Sequence, residues 1–598
     1  MKLCFLYGGG AAAEGGSCRS GWITFPFIAV SAMGLGLAGS GWLANQIVYL
    51  IQEFNIKSID AAQIWNVLMG STYLFSVIVA IIADSYMGNF SVIYISSLLS
   101  LLGMVLYMLT ATLDSLRPKH CEPTTTKTSA PCEGPSRAQF AVLYTAIALT
   151  SIGFGGSRFT IATMGADQFE HSTKDQALFF NWFFFIYYLS STIGFTVIVY
   201  VEDNVSWGVG FGLCMAANLV GAVFFVLGRK CYRFVKPKGS PFAGLARVVV
   251  AACVKRKMVL STESKDYYNF HEEFGEGSLE PMRATLTSRF RVTAARRDWR
   301  TGDEVADVLM APKSCSHAVV APQENLFLNR AALMTETDII SEVDRSVSNH
   351  WRLATVQHVE DLKILIKIFP LWTTNISLSI SIGFMNSLVV LQALTMNRRI
   401  SPNFKVPAGT LLVFTFISSA IALSLFDHFL LPLAQRIIII NKTPTPLQRI
   451  GFGHVMNIIG MAISALIESR RLSIVRSQHV VGQSISVVPM SALWLLVPLG
   501  VIGFGEAFHF PGQVALYYHE FPRSLRSTAT AMSSLVIALG FYLSTVALDM
   551  VRKITKWLPN DINHGRVDKV FWVLVVPQPQ DRPDAALQAP QPLLGHVP

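Results

Sequence analysis

Apolar runs long enough to cross a bilayer recur along the chain. About 20 consecutive apolar residues span the ~30 Å hydrocarbon layer. Runs of that kind lie at 25–52, 63–83, 92–112, 139–161, 180–200, 208–228, 364–396, 407–431, 446–467, 489–515 and 527–550. The pattern therefore predicts eleven membrane-spanning helices. Six come early with short loops between them, a polar segment at about 230–360 follows, and five come after it. The first run is too long for a secretory leader and has no small-residue cleavage site behind it. A twelfth run begins at Phe571-Trp572-Val573-Leu574-Val575-Val576 and stops at Pro577-Gln578-Pro579. Prolines remove backbone donors and block helix continuation, so the twelfth span is expected to be missing or truncated.

Composition changes this picture only by excluding other classes. The 598 residues are 52% hydrophobic and 14% charged, against about 25% charged in a soluble domain. That excess of apolar residues rules out a soluble multidomain enzyme. The 42 Gly and 27 Pro show no period, which argues against collagen-like or disordered chains. The net charge of +10 would point to nucleic acid in a soluble protein. Here it is read as loop Lys and Arg facing anionic headgroups, so the bilayer is the expected partner and nucleic acid is not. Eight cysteines are too few for a disulfide scaffold, and only Cys121 and Cys132 stand close together in one polar loop.

The fold class that follows is an all-α polytopic membrane protein. Six spans, a long loop and a second set of spans is the plan of the major facilitator fold, with two helical bundles around a midplane site. The boundaries are an N-terminal tail at 1–21, a six-helix bundle at 22–229, a cytoplasmic central loop at 230–361, a second bundle of five spans plus a stub at 362–576, and a Pro/Gln-rich tail at 577–598. Arg229, Lys230, Arg233, Lys236 and Lys238 favour a cytoplasmic loop. Arg117, Lys119, Lys127, Arg137, Arg470, Arg471 and Arg476 would then lie on the outer side, so orientation rests on the architecture more than on charge.

Ionisable residues inside a span are costly and are functional suspects. Spans 1, 2, 3, 5 and 6, as bounded above, contain no acid, base or histidine in their interiors. Arg158 follows the small-residue run Gly153-Phe154-Gly155-Gly156-Ser157 near the end of span 4. It is either an Arg reaching for the interface or a cavity cation that binds an anion. Glu506 and His509, three apart on one helix face of span 10, are candidates for a structural pair or for gating or proton sensing. Glu-x-x-His alone lacks the further ligands that a metal needs, so no metal or cofactor is expected. Asn375 and Ser379 lie in a polar stretch of span 7 with Ser377 and Ser381, read either as helix–helix bonding or as the lining of a hydrated anion path. Asp84, Asp427, His428 and Asp549 sit at span ends. No clustered catalytic set is evident, and the chain is not read as an enzyme.

Asp84 and Glu506 fall within motifs that resemble the plant nitrate/peptide transporter family, the plant branch of the proton-dependent oligopeptide transporters. The resemblance covers about 21–576. It rests on Ala83-Asp84-Ser85-Tyr86-Met87-Gly88, Gly165-Ala166-Asp167-Gln168-Phe169, Phe180-Asn181-Trp182, Thr355 to Lys363, Thr445-Pro446-Leu447-Gln448-Arg449-Ile450-Gly451 and Gly505-Glu506. The opening Gly21-Trp22-Ile23-Thr24-Phe25-Pro26-Phe27 and the segment Trp557 to Asn563 look like the nitrate excretion subgroup. The resemblance implies transport of nitrate or a related small anion across the plasma membrane. It also implies gating roles for Asp84 and Asp167.

The departures define the expected mechanism. The family's span-1 Glu-x-x-Glu-Arg element for proton coupling is replaced at its positions by Ala32, Leu35 and Gly36, none of which titrates. Arg158 stands where the family usually has Lys, and it offers a planar fork suited to an oxyanion. Asn89 replaces a family Arg. The expected function is anion transport by alternating access, as efflux or uniport without span-1 proton coupling. The alternatives are a proton-coupled peptide or other small-solute symporter, and a non-transporting truncated or regulatory membrane protein.

Overall fold

The computed structural model describes residues 21–119, 134–169, 173–234, 241–259, 267–268, 326–335, 351–402, 404–425, 445–480, 487–520, 526–559 and 561–575. Cys121, Cys132, Asp427, His428 and the Pro/Gln-rich tail lie outside these residues.

Long apolar helices dominate. The first half contains α1 Phe25–Ala44, α2 Gln46–Gln52, α3 Ser58–Ile82, α4 Asn89–Thr112, α5 Arg137–Asp167, α6 Thr173–Ile193, α7 Val199–Asn204 and α8 Trp207–Leu227. After α9 Pro241–Val254 and α10 Leu326–Asn329 come α11 Val356–Thr395, α12 Val413–Leu425, α13 Pro446–Val480, α14 Leu496–Glu520, α15 Arg526–Ile554 and α16 Val567–Val575. Among the described residues, 10 helices are long and apolar enough to cross a membrane. The eighth run, expected at 407–431, is described only as the short helix Gly409–Leu423 and its flank. The count of eleven is therefore not met by the described residues. At 1.5 Å per residue, the nine residues of α16 reach about 14 Å, less than half the hydrocarbon thickness.

The chain forms two compact units. One comprises 1–239, 372–518 and 529–598; the other comprises 240–371 and 519–528. In the second unit, Val248, Ala251 and Ala252 of α9 pack with Ala331, Ala332, Ala354, Val356 and Val359 around a small apolar core. The first unit holds the spans. Its helices carry apolar side chains on their outer faces, such as Leu98 and Leu102 on α4 and Val220 and Leu227 on α8, as lipid-facing surfaces require.

Glycines set how closely these helices pack. A Cβ at Gly155 would overlap the Thr72 carbonyl of α3, and one at Gly153 would overlap Ser100 of α4. Close approach of this kind replaces the hydrophobic drive that is absent between helices in lipid. It seats α5 between α3 and α4 and aims the turn that carries Arg158.

Two expectations need correction. Span 5 does not end at Tyr200. A π turn at Gly194–Ile198 leads directly into α7, and Glu202 lies buried at 2% exposure. The apparent lack of an acid in this span reflects only where the apolar run stops. Arg471 is likewise not an exposed loop charge. Helix α13 runs on to Val480, and Arg471 is fully buried beside Glu468, whose carboxylate it grips through Nε and Nη2 at 2.8 and 2.7 Å. Arg471 also donates to Asn563 Oδ1 at 2.6 Å and Thr395 Oγ1 at 3.0 Å, while Gln392 donates to Glu468 Oε2 at 2.7 Å.

At one end of the spanning unit the chain halves meet through polar contacts. Arg552 of α15 pairs with Asp60 of α3. Arg398 lies 3.8 Å from Asp203, which follows Glu202 on α7. Arg398 precedes a small hairpin, β2 Arg399–Ser401 with β3 Phe404–Lys405, in which Arg399 and Lys405 are cross-strand partners; β1 Met396–Asn397 pairs with β4 Val488–Ser491. Phe404 stacks on Tyr200 at 5.8 Å. Gly409 lies so close to Ala44 that a Cβ would overlap its carbonyl. The Lys405 ammonium is held below its usual range, first by the Arg398 charge and then by burial.

Candidate functional site

Arg158 projects from α5 into an aromatic cage. Its guanidinium lies 5.3 Å from the centroid of Tyr73 on α3 and 5.6 Å from that of Tyr187 on α6. Nη1 donates to the Tyr73 hydroxyl at 3.3 Å. Rings at this range attract the cation through their quadrupoles, and together they fix where the guanidinium sits. Tyr188 lies within electrostatic reach of Arg158 and of Glu506 on α14, so the one neighbourhood contains a cation from the first chain half and an acid from the second.

The wall continues across the halves. Phe541 of α15 stacks on Tyr73 at 6.1 Å, and Trp65 meets Phe541 edge-on at 5.9 Å. Ser71 and Tyr542 share a 2.9 Å hydrogen bond. Ser379 packs against Gly540, next to Phe541. Its Oγ donates to the Asn375 carbonyl at 2.9 Å, and its Cβ fills the space that a side chain at Gly540 would need. Asn375 is 1% exposed and donates to the Tyr517 hydroxyl at 3.3 Å, and that hydroxyl also accepts from Gln513 at 3.1 Å. Asn375 and Ser379 thus make these contacts within the second half of the chain.

His509 and His454 face each other edge-on at 5.1 Å, and His509 is 1% exposed. Gly453 and Gly505 allow α13 and α14 to touch there. Asp84 and Asp167 lie elsewhere, at the end of the spanning unit near Gly88. Asp84 is in the π turn Ala83–Met87, and Gly88 takes a φ of +73° to restart the chain as α4. Asp167 Oδ2 accepts from Asn89 Nδ2 at 3.2 Å. Asn89 and Asp167 border a cavity of about 350 Å³ with Phe90, Met164, Arg229 and Arg233. Among the described residues no group of three or more His, Cys, Asp or Glu is placed to hold a metal ion.

The positions of the absent span-1 acids are closed. Ala32 is fully buried, Leu35 is 8% exposed, and a Cβ at Gly36 would overlap Ser190 Oγ. Sequence reasoning missed Tyr73 and Tyr187, because nothing local marks one tyrosine among many as facing a cation on another helix. It also missed Glu468–Arg471, although Glu-x-x-Arg is a helix-pairing spacing that could have been noticed.

An all-α bundle of spans, closed at one end by inter-half ion pairs and holding a caged cation within it, defines a polytopic transporter of the major facilitator fold. The family model described as "PTR2: POT family" matches residues 90–564, and the chain belongs to the POT family of membrane transporters. It is 48% identical over 566 residues to Protein NRT1/PTR FAMILY 2.6 of Arabidopsis thaliana, covering 94% of this chain and 92% of that protein. It is also 48% identical over 556 residues to Protein NRT1/PTR FAMILY 2.7 of the same plant, covering 93% and 90%. Its fold is similar to that of an auto-inhibited POT family peptide transporter solved by crystallography, with a TM-score of 0.60, 15% identity, and coverage of 92% of this chain and 94% of that one.

Proposed function

We propose that this transporter moves nitrate or a similarly small anion across the plasma membrane by alternating access, as efflux or uniport. The observation that carries the reading is the Arg158 cage beside closed, acid-free positions in α1. Arg is always protonated and presents a planar fork that matches a planar oxyanion. A cation held inside a membrane protein marks a place where negative charge is favoured, and Ala32, Leu35 and Gly36 supply none. A small anion is the solute that such a place attracts. The rings of Tyr73 and Tyr187 then limit the site to small, flat solutes and keep the guanidinium from turning away.

With the Arg229 and Arg233 end of the spanning unit in the cytoplasm, the Asp60–Arg552 and Asp203–Arg398 contacts lie on the outer side. The arrangement described is then an outward-closed state. Anions reach Arg158 from the inside and leave when those pairs part. Asp167, Asn89 and Asp84 lie at the inner end, where a hydrogen bond replaces the ion pair that an Arg at position 89 would make. Glu506 gates the approach from the second half.

One observation favours a second reading. Glu506 and Arg158 both act on Tyr188, and a peptide zwitterion could place its two termini on such a pair. Purified protein in vesicles distinguishes the two readings. Preloaded nitrate is expected to accelerate uptake of labelled nitrate, while dipeptides at equal concentration leave it unchanged. Counterflow driven by dipeptides and not by nitrate would replace the anion reading with the peptide one.

A further inference from the structure

Glu202 is a buried acid of the spanning unit. It is 2% exposed on α7, and neither carboxylate oxygen has a hydrogen-bond partner among those residues. The groups around it are in the same condition. The Asn45 amide lies beside the carboxylate but outside hydrogen-bonding geometry, and both of its polar atoms lack partners, as do both of those of Gln46. Tyr107 Oη and Trp42 Nε1, whose rings meet at 5.8 Å, are also unpartnered. All four of these residues are at most 1% exposed. Tyr107 is adjacent to both Trp42 and Gln46, so the groups form one connected polar pocket. Glu202 is wedged there, since a Cβ at Gly210 of α8 would overlap its γ carbon.

Buried polar atoms without partners are rare, and each calls for an explanation. A bare carboxylate in such a place is strongly unfavourable, whereas the neutral acid gains an O–H that can bond Asn45 Oδ1 or Gln46 Oε1. The charged and titratable groups facing it do not compensate a negative charge. Tyr49 from α2 and Cys214 from α8 are neutral hydrogen donors at most, and Asp203 on its own helix is a like charge. Arg398 approaches Asp203, and Arg117 approaches Glu53, next to Tyr49.

We propose that Glu202 is a proton-binding site whose occupancy favours closure of the outer end of the bundle. One proton from outer water converts the carboxylate to the acid, which fits the buried site next in sequence to the Asp203–Arg398 contact. Release of that proton leaves a buried anion that favours the entry of water, and separation of Asp203 from Arg398 admits it. The proton biases the gate; it does not supply the driving force. The proposal rests on the transporter reading for which end is outer and for its effect on flux, while proton binding itself is measured without substrate.

The test is pH-difference infrared spectroscopy of the purified protein in lipid vesicles, together with nitrate flux against external pH. The wild type is expected to show a protonated-carboxyl carbonyl band whose amplitude falls as pH rises. Glu202→Gln should lose that band and show a flat flux profile against external pH. Glu202→Asp, which keeps a carboxyl at a displaced position, should retain a band with a shifted midpoint, and it covers the case in which the Gln variant does not fold. A band and a pH profile that persist unchanged in Glu202→Gln, and vanish instead in Glu506→Gln, would overturn the proposal. So would a requirement for sodium or potassium that protons do not replace. Absence of nitrate flux with an intact Glu202 band would count against the anion reading alone.

Discussion

Replacing Arg158 with Ala is expected to reduce nitrate flux at least tenfold while the protein remains at normal abundance in the membrane. Charge-assisted hydrogen bonds are worth about 1.5–3 kcal/mol, and each 1.4 kcal/mol is about a factor of ten. The loss should exceed that of a bulk contact, because no other cation is placed between Tyr73 and Tyr187 among the described residues. Arg158→Lys keeps a point charge without the planar fork and should retain partial flux with weaker discrimination among anions. Flux in vesicles of matched protein content is the measurement. Normal nitrate flux in the Ala variant would remove Arg158 from the site.

Arg471→Ala is expected to destabilise the fold by about 3–5 kcal/mol, the range for breaking a buried pair and stranding its partner. Among the described residues, Glu468 would then keep only the Gln392 hydrogen bond, and the 561–563 turn would lose its tie to α13. Thermal unfolding in detergent, followed by size-exclusion chromatography, should show a lowered midpoint and poor yield. An apolar pair of similar volume, Glu468→Leu with Arg471→Met, should recover much of the loss, because replacing both partners leaves no orphaned charge. An Arg471→Ala protein as stable as the wild type would show that the pair contributes nothing.

Helix existence was legible in the sequence because the bilayer imposes length and composition together, and runs such as 92–112 and 208–228 carry both. Ends were less legible. An apolar run stops where polarity begins, but a helix stops where its hydrogen bonds stop. Thus α13 continues 13 residues past the end predicted at Ile467, and its charged end turned inward to Glu468. The span expected to end at Tyr200 likewise continued through a π turn and carried Glu202 into the interior. Arg158 was visible as a lone charge in a small-residue run, and the glycines that single it out are the ones that let α5 reach α3 and α4. Its partners were not visible. Tyr73 lies 85 positions away along the chain and Tyr187 on a different helix again, and a side chain's direction across a bundle is set by packing that no local pattern encodes. Asn375 and Ser379 show the converse. Their spacing marks a polar helix face, yet the structure turns that face toward Tyr517 and Gly540.

The central claim is that a small anion binds at Arg158 and is driven by its own charge. The most direct measurement is nitrate flux in vesicles under an imposed potential with no pH gradient. One elementary charge is worth about 2.3 kcal/mol per 100 mV, so an inside-negative potential should drive nitrate outward and the movement should carry current. The contrary result is flux that occurs only with an inward proton gradient and persists with that requirement in a Glu506→Gln, His509→Gln double variant.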